Sequence, residues 1–479
     1  ALVPTFVDVR EKRGVQKAWR VAGLVFRVLF ALVSVLAVLG ILFSSELVGF
    51  YAPAFKQVEG KFELTVKLTQ ILFPFFPLVA LAAAFMAVLN ACGVFFLPAF
   101  ASALFNMTSI VVGVFLVWFL PRYGAHPIEG MAWGVVAGGA VQAFCQLPKL
   151  YSVGYRWVKK QAQDSVWHSD PALRHIMILM VPGTVGLAAT QVNILVNSIL
   201  ASSVGTGAVS WLNYAFRLMQ FPIGLFGVSL AAATLPVVSR YWSLKDHDGF
   251  EKTLERSLGQ VLAINLPAAA GLAFLSYPII ELIFEYGRFG ASDTLMTAHA
   301  LVAYSMGLAA YSIVKVLAPV CYAMNQSRVA VLSSVVSVGV NLGLNLWLVR
   351  PFGHWGLALG TSLTAVLNAL FLFSAIHKTV SLPGMRILKV TLRQLVLAVL
   401  MGGGCYWVEL FLRTHFPTDG LSTVFVVLVR ALRVAVAITL GVVFVYGLAR
   451  ILKVTESVEI FDVFLDKLRR ICKLNKRAR

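Results

Sequence analysis

The stretch VAGLVFRVLFALVSVLAVLGILF, residues Val21–Phe43, carries one charged side chain, Arg27. A bilayer's hydrocarbon core is about 30 Å thick and takes about 20 apolar residues as a helix. A barrel strand would alternate polar and apolar residues over about ten positions, and this run does neither. With no water at that depth, each backbone N–H and C=O must pair inside the segment, as in a helix. The rest of the chain agrees. Of its 479 residues, 59% are hydrophobic and 13% charged, against about 25% charged in an average soluble protein. The fold class is all-α and polytopic in a membrane.

Twelve spans are expected, near 18–50, 64–91, 97–120, 129–151, 172–203, 207–240, 251–285, 294–324, 328–349, 355–377, 388–412 and 424–452. Basic loops alternate along them. One side holds Arg10, Lys12, Arg13, Lys17, Lys149, Arg156, Lys159, Lys160, Arg174, Arg240, Lys245, Arg328, Lys378, Arg386, Lys389 and the tail. The other holds only scattered cations such as Lys56, Arg122, Arg288, Arg350 and Arg413. The richer side is expected to be cytoplasmic, which puts the C-terminus inside. Orientation and anionic headgroups account for the net charge of +19, so nucleic acid is not an expected partner and anionic membrane lipids are.

The chain also repeats itself. Glu46-Leu-Val-Gly-Phe-Tyr51 returns as Glu281-Leu-Ile-Phe-Glu-Tyr286, Ala1-Leu-Val-Pro4 as Thr234-Leu-Pro236, and Gly130-Met-Ala-Trp-Gly134 as Gly356-Leu-Ala-Leu-Gly360. The order and the spacing are similar and the loop charges keep their sense, so this is a direct repeat. Two six-helix bundles related by an axis along the membrane normal follow, with a site between them. The expected domains are an N-terminal bundle over 1–151, a C-terminal bundle over 171–378, two extra helices over 388–452 and a basic amphipathic tail over 455–479. In that tail Ile460, Phe461, Phe464, Leu465, Leu468 and Ile471 form a stripe among lysines and arginines. It reads as an in-plane helix on the cytoplasmic leaflet, the alternative being a soluble basic tail. By the repeat, the first bundle lacks about its first two helices here, so the full protein is expected to have about fourteen spans and this chain about twelve.

Arg217 stands out. It lies in Trp211-Leu-Asn-Tyr-Ala-Phe-Arg-Leu-Met-Gln-Phe-Pro222, inside an expected span. A guanidinium at membrane depth costs about 2.5–3.5 kcal/mol or more, and so faces a partner or a water-filled cavity. The next-turn residue is Gln220, and no carboxylate lies near on the same helix. An anion-binding site is one reading; an ion pair to another helix, or snorkelling to a headgroup, is the other. Asn213 and Gln220 flank Arg217 on its own face, and Lys315, four residues before Pro319, completes the candidate substrate-binding set. Lys315 could add positive potential, or bond a carbonyl freed by the proline.

Further features each have two readings. Pro182-Gly183 and Pro222 are hinge candidates, though a proline in a membrane helix also makes a fixed kink. Asn341 and Asn345 are i, i+4 neighbours, and with Asn197 and Thr364 could offer oxygens to a cation such as Na⁺; interhelical hydrogen bonding is the blander reading. Arg430 and Arg433, in the last span, either mark a groove or snorkel, as Lys67 and Arg27 are expected to do. The five cysteines are scattered without metal-ligand spacing and read as small apolar residues. No nucleotide loop, metal cluster or nucleophile–base arrangement is legible, so neither enzyme nor cofactor is expected. Ion gradients (Na⁺ or protons), the membrane potential or consumption of the product would drive transport.

Several strings carry a resemblance: Val88-Leu-Asn90, Leu97-Pro-Ala-Phe100 with Asn106, Tyr214-Ala-Phe-Arg-Leu-Met-Gln-Phe-Pro222, Tyr286-Gly-Arg-Phe289 and Val314-Lys-Val-Leu-Ala-Pro319. They are similar to the MurJ (MviN) family, lipid II flippases of bacterial cell-wall synthesis. The resemblance runs the length of the chain. It implies the fold of the multidrug/oligosaccharidyl-lipid/polysaccharide exporter superfamily. It also implies an inner-membrane protein, expected to work as a monomer, that flips the undecaprenyl-diphosphate-linked disaccharide-pentapeptide, lipid II, by alternating access through a cationic cavity. Arg217 matches the family's cavity arginine. Gln220 stands where the family often has a glutamate, which removes a negative charge. The family's other cavity arginines, on its first two helices, are expected before Ala1. The alternatives are a flippase for another lipid-linked glycan, a cation-coupled drug exporter of the same fold, and a membrane scaffold without transport.

Overall fold

The computed structural model describes residues 2–156, 191–324, 326–418, 420, 422–451, 454, 457, 458 and 462. Among these, helix is the only regular structure. The chain divides into two compact units, 1–188 and 189–479.

In the first unit α1 (Leu2–Arg13) leads into α2 (Val15–Leu42), the long apolar helix, and a short α3 (Ser44–Tyr51). Then come α4 (Lys61–Leu72), α5 (Phe75–Ala91), α6 (Phe96–Phe119), α7 (Pro127–Phe144) and α8 (Leu147–Ser152). The unit's core gathers Phe6, Trp19, Phe26, Phe85, Leu89, Leu150 and Tyr155. Helices α6 and α7 approach closely through glycine. A Cβ on Gly134 would lie 2.6 Å from the Ser109 carbonyl, and one on Gly130 2.5 Å from the Val117 amide. Small residues at such contacts are how helices pack where lipid removes the hydrophobic driving force.

In the second unit the helices are α9 (Gln191–Val204), α10 (Ala208–Pro222), α11 (Val228–Ser243), α12 (His247–Phe274), α13 (Ser276–Phe284), α14 (Ala291–Ser305), α15 (Leu308–Ala323), α16 (Ser327–Thr379), α17 (Gly384–His415) and α18 (Thr423–Ile451). One core joins Val238, Phe250, Leu254, Leu317 and Leu372; a second joins Met219, Ile223, Ile280, Leu301 and Leu308. A third packs Leu275 against Leu397, Met401 and Val445, which seats α17 and α18 on the end of α12. Large apolar side chains such as Val35, Trp118, Trp407 and Val443 stay exposed, as a lipid-facing surface requires.

Among the described residues nine helical segments are long and apolar enough to cross a membrane, or ten if α14 and α15, bent by 44°, form one span. Eleven of the expected twelve have counterparts among these. Helix α16 holds two of them, parted at Gly353 (φ 57, ψ −136), a conformation open to glycine because it has no Cβ. The span expected at 172–203 is described from Gln191 onward. Five expected spans are not single helices: 64–91, 129–151 and 294–324 each divide in two, and 18–50 and 251–285 break alike. The span 18–50 breaks at Phe43 (φ −98, ψ 24) and 251–285 at Leu275 (φ −102, ψ 18). Both breaks are followed by a short helix, α3 and α13, that carries the repeated Glu46 and Glu281 motifs. The direct repeat read in the sequence is thus also a repeat of backbone geometry.

Candidate functional site

Helix α10 turns Leu212, Ala215 and Met219 into the core. At 3.6 residues per turn the opposite face presents Asn213, Arg217 and Gln220, all exposed. No ion pair joins Arg217 to another described residue. Asn213 donates Nδ2 to the Val209 carbonyl at 2.9 Å. The face is therefore cationic and polar, with a five-donor guanidinium at its centre, suited to gripping phosphate oxygens in pairs.

The helix changes pitch at this face. Pro222 has no N–H to offer the Leu218 carbonyl, and Ile223–Gly227 forms one turn of π-helix before α11 begins. Such turns occur as single bulges, often at functional sites. Gly227 then lies against α15: a Cβ there would sit 3.0 Å from Ser312 Oγ. Ser312 Oγ donates to Asn265 Oδ1 of α12 at 3.0 Å, and Asn265 Nδ2 donates to the Val261 carbonyl at 2.9 Å. The hinge candidate Pro222 is therefore at a real irregularity. Pro182 and Gly183 lie outside the described residues. Lys315, one turn from Ser312, is exposed; no hydrogen bond or ion pair brings it together with Arg217.

The four candidate cation ligands do meet. Asn345 Nδ2 donates to Asn197 Oδ1 and, at 2.7 Å, to Asn341 Oδ1. Asn341 Nδ2 donates to Thr364 Oγ1 at 3.3 Å, and that hydroxyl donates to the Gly360 carbonyl at 2.8 Å. Asn341, Asn345 and Thr364 are buried. Asn345 Oδ1 is buried without a hydrogen bond, so one ligand oxygen is available. The others are already engaged with amide protons, and the set contains no carboxylate. Hard cations are held by several oxygens, usually with anionic members. The arrangement fits an interhelical tie across α9 and the two halves of α16 better than it fits Na⁺.

Sequence reasoning missed the partners of the last span's arginines. Arg430 and Arg433 neither line an open groove nor snorkel. Arg430 Nη2 lies 2.9 Å from Glu285 Oε1 and 3.3 Å from Glu281 Oε1, and its Nη1 donates to the Glu281 carbonyl at 3.2 Å. Arg433 reaches Glu281 Oε2 at 3.9 Å, and Arg413 of α17 reaches Glu281 Oε1 at 3.4 Å. The available signal was Glu281 and Glu285 at i, i+4 in an apolar stretch, since carboxylates at that depth need cationic partners. Lys67 also differs from expectation: it pairs with the buried Glu129 at 2.8 Å. Arg27 is exposed and donates Nε to the Gly23 carbonyl at 3.2 Å. Cys92, just past α5, is partly buried, which pushes its thiol above the usual range and makes it a poor nucleophile. Among the described residues no cluster of His, Cys, Asp and Glu could hold a metal.

A family model described as "Lipid II flippase MurJ" matches residues 1–453. A probable lipid II flippase MurJ of Vibrio cholerae is 32% identical over 384 residues, covering 79% of this chain and 71% of that protein. One from Bdellovibrio bacteriovorus is 30% identical over 459 residues, covering 95% and 86%. The lipid II flippase MurJ of Burkholderia cenocepacia is 32% identical over 379 residues, covering 79% and 72%. Among solved structures, a lipid II flippase MurJ in an inward closed conformation aligns with TM-score 0.71 at 24% identity, over 94% of this chain and 88% of that one. An inward-facing multidrug transporter of the MATE family aligns with TM-score 0.67 at 14% identity, over 81% and 85%. At these identities the two structures speak for the fold alone.

Proposed function

The chain belongs to the MurJ family of lipid II flippases, and on that premise we propose that it carries lipid II from the cytoplasmic to the outer leaflet of the bacterial inner membrane, with Arg217 gripping the diphosphate. The observation that carries this reading is an exposed arginine on α10, without a carboxylate partner among the described residues, flanked on its own face by Asn213 and Gln220. A diphosphate cannot cross about 30 Å of hydrocarbon unaided. Charge-assisted hydrogen bonds from guanidinium replace the water it leaves behind. The sugar–peptide headgroup travels with it while the isoprenoid tail stays in lipid.

The protein acts as a transporter without bond-making chemistry. In this reading the two bundles alternate between inward-open and outward-open states, the C-terminus is cytoplasmic, and the protein works as a monomer. Lys315 adds positive potential, and the π-turn after Pro222 supplies a bending point. The driving force follows from charge. The membrane potential is worth about 2.3 kcal/mol per elementary charge per 100 mV, and with the cytoplasm negative it favours outward movement of an anion. Neither the asparagine cluster nor a carboxylate near Arg217 supports a coupled cation. A cationic drug is a poor substrate for an arginine-centred face.

The test is rescue. The full-length gene, as wild type and as Arg217→Ala, is expressed in bacteria depleted of their own lipid II flippase, with membrane levels confirmed. Wild type should restore growth and Arg217→Ala should not. Rescue by both would remove Arg217 from the site. Failure of both at normal levels would point to another lipid-linked glycan.

A further inference from the structure

Six charged side chains meet where α13 packs on the C-terminal helices: Glu281 and Glu285 from α13 and its end, Glu409 and Arg413 from α17, and Arg430 and Arg433 from α18. Three positive and three negative charges balance, but their pairing is uneven. Glu281 draws all three arginines and Glu285 takes Arg430. Glu409 feels the charges of Arg413, Arg433 and Glu281, yet forms no ion pair with a described residue. It is 4% exposed, and its Oε1 is buried without a hydrogen bond. The Nε atoms of Arg430 and Arg433 and Glu281 Oε2 are buried in the same condition. A buried charged oxygen without a donor beside a buried guanidinium without an acceptor is costly. It is also what a second pairing would relieve.

The cluster is joined to the helix of Arg217. Glu285 Oε2 accepts from Thr294 Oγ1 at 2.6 Å. The adjacent Asp293 accepts through Oδ1 from Trp211 Nε1, in the first turn of α10, at 2.8 Å. Tyr214 packs its ring on Phe284, the residue before Glu285, at 4.6 Å between centroids. Helix α10 therefore rests on the corner that Glu285 braces from the other side.

We propose that Glu281 and Glu285 are positioning residues of a re-pairing latch. In the arrangement seen here they clamp α18 to α13; in a second, Arg433 leaves Glu281 for Glu409, α18 loosens from α13, and the corner under α10 shifts. The two C-terminal helices and Arg217 then move as coupled parts of one cycle. The coupling to transport rests on the reading of Arg217 given above.

Hydrogen–deuterium exchange on the purified full chain tests the latch directly. Glu409→Gln removes the negative charge that the second arrangement pairs with Arg433 and should slow exchange over 285–294 and 208–217 at least threefold. Glu285→Gln removes the charge that lies nearest Arg430 and weakens the acceptor for Thr294, and should speed exchange over the same segments at least threefold. In the rescue assay Glu409→Gln should lose at least tenfold in plating efficiency while its melting temperature is unchanged or higher, which a merely structural role would not produce. Glu409→Gln exchanging like wild type would overturn the latch, as would rescue and melting temperature falling in step. If wild type itself fails to rescue, the lipid II reading fails and the exchange measurement still decides the latch.

Discussion

Trp211 donates its indole N–H to Asp293 Oδ1 at 2.8 Å and so ties the first turn of α10 to the first turn of α14. The other Asp293 oxygen accepts from the Gly290 amide at 3.1 Å, so the carboxylate caps α14 while it holds α10. The Trp211 ring also meets His354 edge-on at 5.2 Å. Trp211→Phe keeps an aromatic ring but loses the hydrogen bond along with part of the indole's packing. A hydrogen bond to a charged group contributes about 1.5–3 kcal/mol, and thermal unfolding in detergent should show a loss of that order. Asp293→Asn and Trp211→Phe should be non-additive when combined, because they share the bond.

Gly227 and Gly224 lie in one π-turn but in different surroundings. A Cβ at Gly227 would press on Ser312 Oγ at 3.0 Å and Ser312 Cβ at 3.2 Å, whereas one at Gly224 meets nothing within 4 Å. Overpacking costs about 1–3 kcal/mol. Gly227→Ala should therefore lower the melting temperature and impair rescue, while Gly224→Ala leaves stability nearly unchanged. Equal effects from the two substitutions would mean that the turn, rather than its contact with α15, sets the geometry.

Much of this was legible in the sequence and some of it could not be. Apolar run length gave the spans, because length and lack of charge are what a bilayer selects. The Glu46 and Glu281 motifs gave the repeat. The breaks at Phe43 and Leu275 had a local signal that apolar run length passes over: each is followed by serine, in Ser44-Ser-Glu46 and in Ser276-Tyr-Pro278. The i, i+4 spacing of Asn341 and Asn345 brought one pair of cluster members into view, but their neutral bonding to Asn197 and Thr364 is a tertiary fact. Arg430 was visible as a cation among apolar residues. Its partners lie far back in the chain, on α13 and just past it, where periodicity carries no information.

The asparagine cluster makes a prediction about sodium. Asn345 Nδ2 donates to both Asn197 and Asn341, so two of the candidate ligand oxygens are engaged by a neutral amide, while Asn345 Oδ1 has no hydrogen bond. Replacing NaCl by choline chloride at equal ionic strength should leave the melting temperature of the wild type unchanged. Asn345→Asp exchanges a two-bond donor for a buried carboxylate facing two carbonyl oxygens. It should cost about 3 kcal/mol or more and become sodium-sensitive, since a cation then pairs the new charge. Sodium stabilising the wild type would show that a cation displaces the amide contacts, and would revive ion coupling.

Arg217→Lys separates charge from geometry at the proposed site. Lysine keeps the positive charge on α10, and the exposed face there gives it room. It loses the planar fork that pairs with two phosphate oxygens at once. If Arg217 only raised the local potential, Arg217→Lys would rescue like wild type. Bidentate gripping instead predicts an intermediate phenotype: rescue above Arg217→Ala but below wild type, since one of two paired hydrogen bonds to the phosphate is lost. Arg217→Glu repels the diphosphate outright and should abolish rescue at normal membrane levels. The order Arg, Lys, Ala, Glu in plating efficiency, with melting temperatures equal across the series, is the result expected of a residue that binds the anion rather than one that holds the fold. Its exposure and its lack of a carboxylate partner among the described residues are why stability should not follow the same order.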